Sequence, residues 1–172
     1  MFDNHIHSNF SGDSEMWAED AILKAIELNL NGIAFTDHLD IDYPNYEEVF
    51  MIDFNKYNLF MDSLKYKYNN KIKIIKGIEI GIQPHVKEET LEIVNKYSFD
   101  YVIASIHIVD KLDLHNGDYC RNKSKRESYL RYFEEVLYMV KTLDNIDTLG
   151  HIDLIRRYGD YENKILYYNY YI

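Results

Sequence analysis

Short apolar runs alternate with longer amphipathic stretches along most of the chain, which predicts strands and helices in regular succession. Five runs have the length and composition of buried strands, at residues 2–7, 32–36, 72–77, 101–105 and 148–150. Four longer stretches repeat apolar residues at helical spacing, at residues 17–30, 53–68, 86–97 and 127–143. Apolar strands joined by helices are typical of a parallel sheet with right-handed crossovers. The pattern therefore predicts an α/β fold of the (β/α)-barrel kind.

The helix predicted over residues 17–30 has recognisable signals at both ends. Ser14 precedes it and is expected to cap its first turn, which is acidic. Asn31-Gly32 is expected to end it, because Asn and Gly accept the left-handed conformation past a helix. After the next strand, residues 37–46 are expected to form a polar loop.

Residues that can bind a metal follow the predicted strands one after another. His5-Ile6-His7 places two imidazoles on one face of an extended segment, since side chains at i and i+2 point the same way. Asp13 comes soon after this pair, and the later strands are followed by His38, Glu79, His107 and His151. The carboxyl ends of parallel strands share one edge, so these side chains are expected to form a cluster.

The chemistry of these residues indicates a hydrolytic metal centre. Imidazole and carboxylate groups suit zinc, manganese or iron, whereas structural zinc sites usually include cysteine. Glu79 lies in an apolar stretch where an unpaired carboxylate is costly, which favours a cation partner. Asp13 and His38 also fit roles in turns, and His85 and His115 are expected in solvated loops.

Composition and charge narrow the classes of function. The formal net charge of −10 and a pI near 5.1 disfavour binding to nucleic acid or to a membrane surface, although bound cations would reverse the sign locally. Cys120 is the only cysteine, so no intramolecular disulfide forms, and an inert thiol in a reducing compartment is expected. With no long apolar run, the 172 residues predict one soluble cytoplasmic domain of unspecified oligomeric state.

The motifs, in this order, resemble those of the polymerase-and-histidinol-phosphatase (PHP) superfamily. The resemblance rests on five segments that together cover most of the chain: His5-Ile6-His7 with Ser11-Gly12-Asp13-Ser14, Thr36-Asp37-His38, Gly77-Ile78-Glu79-Ile80-Gly81, Ser105-Ile106-His107, and the segment from Gly150-His151 to Arg156-Arg157-Tyr158. The last three segments, with a Tyr-rich helix between them, are most similar to the bacterial monofunctional histidinol-phosphatase branch.

The resemblance implies a distorted (β/α)7 TIM-like barrel with three divalent metal ions, which are zinc, manganese or iron. His5 and His7 would hold the first ion, and Glu79 would bridge it to the second. His107 and His151 would complete the second ion, and Asp13 and His38 would bind the third. The family also has a late Asp-x-His motif, but no histidine follows His151 here. We therefore expect a barrel, and a single PHP-type domain, that are incomplete at the C-terminus.

The resemblance implies a metal-dependent phosphomonoesterase that hydrolyses L-histidinol phosphate to L-histidinol and phosphate, in histidine biosynthesis. Glu79, His38 and Arg156 are the expected catalytic residues. Arg156 and Arg157 are candidates to bind the phosphate of this small-molecule substrate, and a surface pair is the alternative. Two other functions stay open: a PHP phosphoesterase acting on nucleotides or DNA ends, and a non-catalytic metal-binding fragment.

Overall fold

The structure, a computed structural model, describes residues 1–46, 49–159 and 161. Its strands are β1 (Phe2–Ile6), β2 (Gly32–Phe35), β3 (His38–Asp40), β4 (Lys73–Gly81), β5 (Tyr101–Ser105), β6 (Ile108–Val109), β7 (Leu112–Asp113) and β8 (Thr148–Leu149). Its helices are α1 (Ala18–Glu27), α2 (Phe54–Tyr68), α3 (Lys87–Lys96), α4 (Lys125–Thr142) and α5 (Ile155–Tyr158). The four predicted helices correspond to α1 to α4, so the predicted order of elements is confirmed.

A parallel sheet forms the centre of the fold. Its strands follow the order β1-β2-β4-β5-β8, and β3 also pairs with β4. Every pairing in this sheet is parallel. Helices α1, α2, α3 and α4 lie in the connections between successive neighbours, so the carboxyl ends of the strands meet at one edge. The predicted α/β class with parallel strands is confirmed.

The largest differences from the predicted strands are at β4 and at its neighbour β3. Strand β2 pairs with residues 73–76 and β3 pairs with residues 79–81, so β2 and β3 run along consecutive parts of one neighbour. The expectation of a polar loop from residue 37 is therefore wrong over His38–Asp40, which is a buried strand. The third predicted strand also continues through Glu79 instead of ending before it. The polar side chains of β3 and β4 are buried against one another at the carboxyl edge of the sheet. A polar residue there does not mark the end of a strand.

The helices cover the sheet with apolar faces. The predicted stripe on α1 is buried at Ala18, Ala21, Ile22 and Ala25. Helix α2 buries Phe54, Tyr57, Met61, Leu64 and Tyr68. The Tyr57 hydroxyl contacts the carbonyl oxygens of Phe35 and Gly77 at 3.2 and 2.8 Å, and so ties α2 to both β2 and β4. This packing anchors α2 against β4, the strand that carries Glu79.

The expected start of α1 is wrong in detail. The helix begins after Trp17, whose side chain makes no capping hydrogen bond. Ser14 instead donates its hydroxyl to the carbonyl oxygen of His7 at 3.0 Å and accepts from the Met16 N–H at 3.2 Å. It therefore braces the segment that follows β1, close to the candidate site, and the acidic first turn of the helix has no side-chain cap.

The expected end of α1 is also wrong. The helix ends by Leu28, and Asn29 takes the left-handed conformation with φ of 55°. Gly32 already belongs to β2, where a Cβ would meet the Phe2 ring and lie 2.8 Å from the Lys73 carbonyl oxygen. The asparagine thus ends the helix, and the glycine permits close packing between strands.

Two local features were not predicted from the sequence, a short hairpin and a helix capping motif. Strands β6 and β7 form an antiparallel hairpin, whose turn residues Asp110 and Lys111 both have positive φ. Helix α4 begins with a capping box in which Ser124 and Glu127 bond each other's backbone. Over the residues that the structure covers, no helix is both long enough and apolar enough to cross a bilayer.

Candidate metal centre

Glu79 lies at the centre of the site, fully buried on β4. Its Oε1 atom accepts a hydrogen bond from the Ser105 hydroxyl at 2.6 Å. The same oxygen lies 2.9 Å from His151 Nε2 and 3.3 Å from His107 Nε2. The carboxylate is therefore surrounded by groups from β5 and from the segments after β5 and β8.

The second oxygen of Glu79, Oε2, is buried and makes no hydrogen bond among the described residues. It lies 3.1 Å from the Nε2 atoms of His5 and His7, and these two nitrogens are 3.1 Å apart. Three atoms with lone pairs thus converge, and they repel one another unless a proton or a cation lies among them. Two imidazoles and a carboxylate are ligands that zinc accepts, so this set fits a divalent cation.

A second group of potential ligands lies next to the first. His7 Nδ1 is 3.0 Å from Asp13 Oδ2, and the same oxygen is 3.5 Å from His38 Nε2. His38 lies in turn beside His107, with ring centroids 4.9 Å apart. His7 and His38 therefore link the Asp13 side of the site to the Glu79 side.

The imidazoles and carboxylates of the site shift each other's pKa values toward the charged forms. Burial opposes protonation of His7 and His38, but hydrogen bonds to Asp13 and nearby carboxylates outweigh it and raise the pKa of each to about 9. Burial likewise opposes ionisation of Glu79, but the imidazoles around it, His107 foremost, hold its pKa well below the ordinary value. The negative carboxylates of the site are therefore paired with protonated imidazoles, and a bound metal ion would replace the imidazole protons.

The seven residues predicted as metal ligands all line one cavity of about 590 Å³. Three overlapping groups bring their ligand atoms within 4.8 Å of one another: His5, His7 and Glu79; His7, Asp13 and His38; and His38, Glu79 and His107. His151 reaches the same cluster through its contact with Glu79 Oε1. The assignment of each residue to a particular ion stays a prediction.

The placement of these ligands differs in part from the rule that they follow strands. His7, His107 and His151 do come after β1, β5 and β8, but His5 lies within β1, His38 opens β3, and Glu79 lies within β4. Extended segments alternate their side chains, so a ligand inside a strand can face the cavity as well as one beyond its end.

Sequence reasoning missed two buried carboxylates that support the site. Asp37 accepts hydrogen bonds from the backbone N–H and the hydroxyl of Ser8, at 2.6 and 3.0 Å. Asp40 contacts the Nδ1 atoms of His38 and His107. Alternation within His38-Leu39-Asp40, with its histidine and aspartate on one face, could have revealed Asp40 if the segment had been interpreted as a strand.

The predicted phosphate ligands occupy different places. Arg157 lines the cavity, whereas Arg156 is absent from its lining and donates a hydrogen bond to Asp153 at 3.0 Å.

His115, expected in a solvated loop, also lines the cavity. His85 lies elsewhere, beside Asp42. The remaining wall is largely apolar or aromatic and is formed by Tyr43, Phe50, Leu114, Leu154 and Tyr158.

A family model matches this chain. The profile of the PHP domain matches residues 3–171, which is nearly the whole chain. The chain therefore belongs to the PHP domain family, as its motifs indicated.

Curated relatives lie in the histidinol-phosphatase branch of this family. The chain is 40% identical over 171 residues to a probable histidinol-phosphatase of Clostridium acetobutylicum, covering 99% of this chain and 64% of that protein. It is 33% identical over 163 residues to the histidinol-phosphatase of Lactococcus lactis subsp. lactis, covering 94% of this chain and 60% of that protein. The chain thus spans less than two thirds of the length of either relative.

Solved structures agree with this placement. The crystal structure of histidinol phosphate phosphatase from Lactococcus lactis, in complex with zinc, L-histidinol and phosphate, has a TM-score of 0.91 and 32% identity, with 98% of this chain and 64% of that chain covered. A Listeria monocytogenes protein has a TM-score of 0.78 at 19% identity, over 91% of this chain and 68% of that chain, and supports the fold alone. The predicted PHP-type fold is confirmed.

Proposed function

We propose that this chain hydrolyses L-histidinol phosphate to L-histidinol and phosphate. The observation that carries the proposal is the convergence of five histidines, Asp13 and Glu79 on one cavity. The Lactococcus lactis neighbour, which binds zinc, L-histidinol and phosphate, supports the choice of this substrate among phosphomonoesters.

The cofactors proposed are up to three divalent ions, zinc first, with manganese and iron as alternatives. His5 and His7 would hold one ion together with Glu79, and Glu79 with His107 and His151 would hold the second. Asp13 and His38 would hold the third. When bound, such ions activate water and stabilise the negative charge of a phosphoryl group.

The side chains around the cluster would bind and orient the substrate. Arg157 lines the cavity, and its planar guanidinium suits the oxygens of a phosphate group. It is therefore a better candidate than Arg156, which contacts Asp153. The wall that includes Tyr43 and Tyr158 offers apolar and aromatic surface for the imidazole-bearing part of histidinol.

Glu79 and His38 act within the cluster. Glu79 faces histidines with both of its carboxylate oxygens, so it can join two ligand groups and hold them at a fixed separation. His38 lies between Asp13 and Glu79, so as a ligand it would join the Asp13 side of the cluster to the Glu79 side. These contacts support the two proposed roles, which require both residues to keep their present positions.

The proposal is tested by a panel of phosphate donors. The chain is purified without chelator, supplied with zinc or manganese, and assayed for phosphate release from L-histidinol phosphate, nucleoside monophosphates and a 3′-phosphorylated oligonucleotide. We expect the highest kcat/KM with L-histidinol phosphate and no turnover by the Glu79→Gln variant. Preference for a nucleotide or a DNA end would indicate another phosphoesterase. Metal binding without turnover of any donor would indicate a non-catalytic metal-binding chain.

A further inference from the structure

Asp40 is a buried carboxylate that contacts two of the predicted ligands at once. It is 1% exposed and lies on β3, next to the cluster but outside the cavity lining. Its Oδ2 atom lies 2.9 Å from His38 Nδ1, and its Oδ1 atom lies 2.7 Å from His107 Nδ1. Each oxygen therefore accepts a hydrogen bond from a different imidazole.

These two hydrogen bonds determine which nitrogen of each ring faces the cavity. With Nδ1 donating to Asp40, the Nε2 atom of each neutral ring carries the lone pair. His107 Nε2 lies 3.3 Å from Glu79 Oε1, and His38 Nε2 lies 3.5 Å from Asp13 Oδ2. The two lone pairs are thus directed toward different carboxylates of the ligand cluster.

We propose that Asp40 is a positioning residue shared by two metal positions, the one that includes His107 and the one that includes His38. The inference rests on the proposed metal centre and adds that two of its metal positions depend on the same carboxylate. Carboxylates behind ligating histidines typically contribute about 10- to 100-fold to metal affinity, by fixing the ring and its tautomer. Here one carboxylate would do so for two rings, so its loss would weaken both positions together.

Gly81 makes room for this carboxylate. Asp40 pairs with Gly81 in the parallel register of β3 and β4. A Cβ at Gly81 would lie 1.7 Å from Asp40 Oδ1, and its three nearest neighbours would all be atoms of the Asp40 carboxylate. An alanine there would displace the carboxylate from both histidines without removing its charge. The second glycine of Gly77-Ile78-Glu79-Ile80-Gly81 thus has a specific role in the site.

The first test compares zinc affinity in Asp40→Asn with that of the unmodified chain. The amide of asparagine has one acceptor oxygen, and its NH2 group would face the second Nδ1 and force that ring's proton onto Nε2. We expect the zinc dissociation constant to rise by about 10-fold or more. Asp113→Asn is the matched control, because Asp113 is also nearly fully buried but bonds the Tyr43 hydroxyl and the His115 N–H, not an imidazole ring.

A double-mutant cycle with Gly81→Ala separates positioning from general loss of structure. Gly81→Ala alone should weaken zinc binding about as much as Asp40→Ala, since both remove the contacts to the imidazoles. In the Asp40→Ala background, Gly81→Ala should cost little more, because the atoms with which the new methyl group collides are gone. Additive losses in the two variants would overturn the proposal. Circular dichroism of each variant verifies that it is folded.

A measurement on the unmodified chain needs no substitution. Nitrogen-15 spectra of the imidazoles in the zinc-loaded protein should show protons on Nδ1 of both His38 and His107. A proton on Nε2 of either ring would overturn the inference. Equal zinc affinity in Asp40→Asn and Asp113→Asn would overturn it and leave the metal centre standing. Failure of the unmodified chain to bind zinc would overturn the metal centre and the inference together.

Discussion

At the scale of single residues, the negative charge of Glu79 is what holds the imidazoles together. Glu79→Gln keeps the shape of the side chain but removes the charge that both oxygens present to histidines. We expect zinc content after purification to fall by about 10-fold or more, since each ligand lost weakens binding strongly. His85→Ala is the control, because His85 lies beside Asp42 and outside the cavity. Equal zinc content in the two variants, measured by elemental analysis, would show that Glu79 is not a ligand.

The raised pKa values of His7 and His38 predict that zinc binding releases protons. Both pKa values lie at about 9, above the ordinary 6.5, so both rings retain protons at pH 7.5 in protein stripped of metal. Burial opposes protonation of His107 too, but Asp40 and Glu79 hold its pKa well above the ordinary value. Zinc bound by all three rings must displace these protons, so roughly three should be released and the apparent affinity should rise with pH until at least about 9. Calorimetry in buffers of different ionisation enthalpy measures the proton count. Binding that is independent of pH between 6.5 and 9 would contradict the prediction.

Sequence patterns identified the chemistry of the site better than its supports. The ligand candidates were found because each lies at or near the carboxyl end of an apolar strand, and the structure places all of them around one cavity. Asp37 and Asp40 were missed, because their value depends on distant partners: Ser8 for Asp37, and His107 for Asp40. A contact across the sheet leaves no periodic trace in the sequence, and the alternation that puts Asp40 on the same face as His38 is informative only if residues 38–40 are interpreted as a strand. The sequence could not decide between Arg156 and Arg157 for a similar reason. Which of the two reaches the cavity depends on how α5 packs, and Arg157 lines the cavity whereas Arg156 does not.

At the scale of elements, the start of α4 depends on a local hydrogen-bonded motif. Ser124 accepts from the Glu127 N–H, and Glu127 reaches back to the Ser124 backbone. Ser124→Ala should lower the free energy of unfolding by about 1 kcal/mol, because a backbone N–H loses its partner. Ser63→Ala in α2 is the matched control, since that hydroxyl only donates to a carbonyl within the helix. Alanine is the better helix former there, so stability should hold or rise slightly. Urea unfolding that shows equal losses would contradict this.

The helices were predicted more accurately than the strands around the site. Apolar spacing identified α1 to α4, because one face of each helix packs on the sheet and repeats every three or four residues. The ends of α1 were wrong, since Ser14 contacts His7 and Asn29 takes the left-handed conformation. Strand β3 was missed because its polar residues are buried against each other, and burial of that kind is a property of the folded sheet. The hairpin of β6 and β7 was missed because each strand has only two residues.

At the scale of the whole molecule, the candidate ligands connect the full width of the sheet. They come from β1 and the segment after it, from β3 and β4 in the middle, and from the segments after β5 and β8. These elements are far apart in sequence, so an unfolded chain does not bring the ligands together. A metal ion that bridges them should therefore bind the folded chain far more tightly than the unfolded one.

Zinc should for this reason raise the stability of the chain. A ligand that binds only the folded state adds about 2.7 kcal/mol at a free concentration 100 times its dissociation constant. We expect the midpoint of urea unfolding to rise with zinc and to return to its starting value when a chelator is added. Magnesium is the control, because it prefers oxygen ligands and a site rich in imidazole should bind it weakly. Glu79→Gln should lose most of the zinc effect, since the residue central to the cluster has lost its charge. Equal stabilisation of Glu79→Gln and the unmodified chain would show that zinc binds elsewhere.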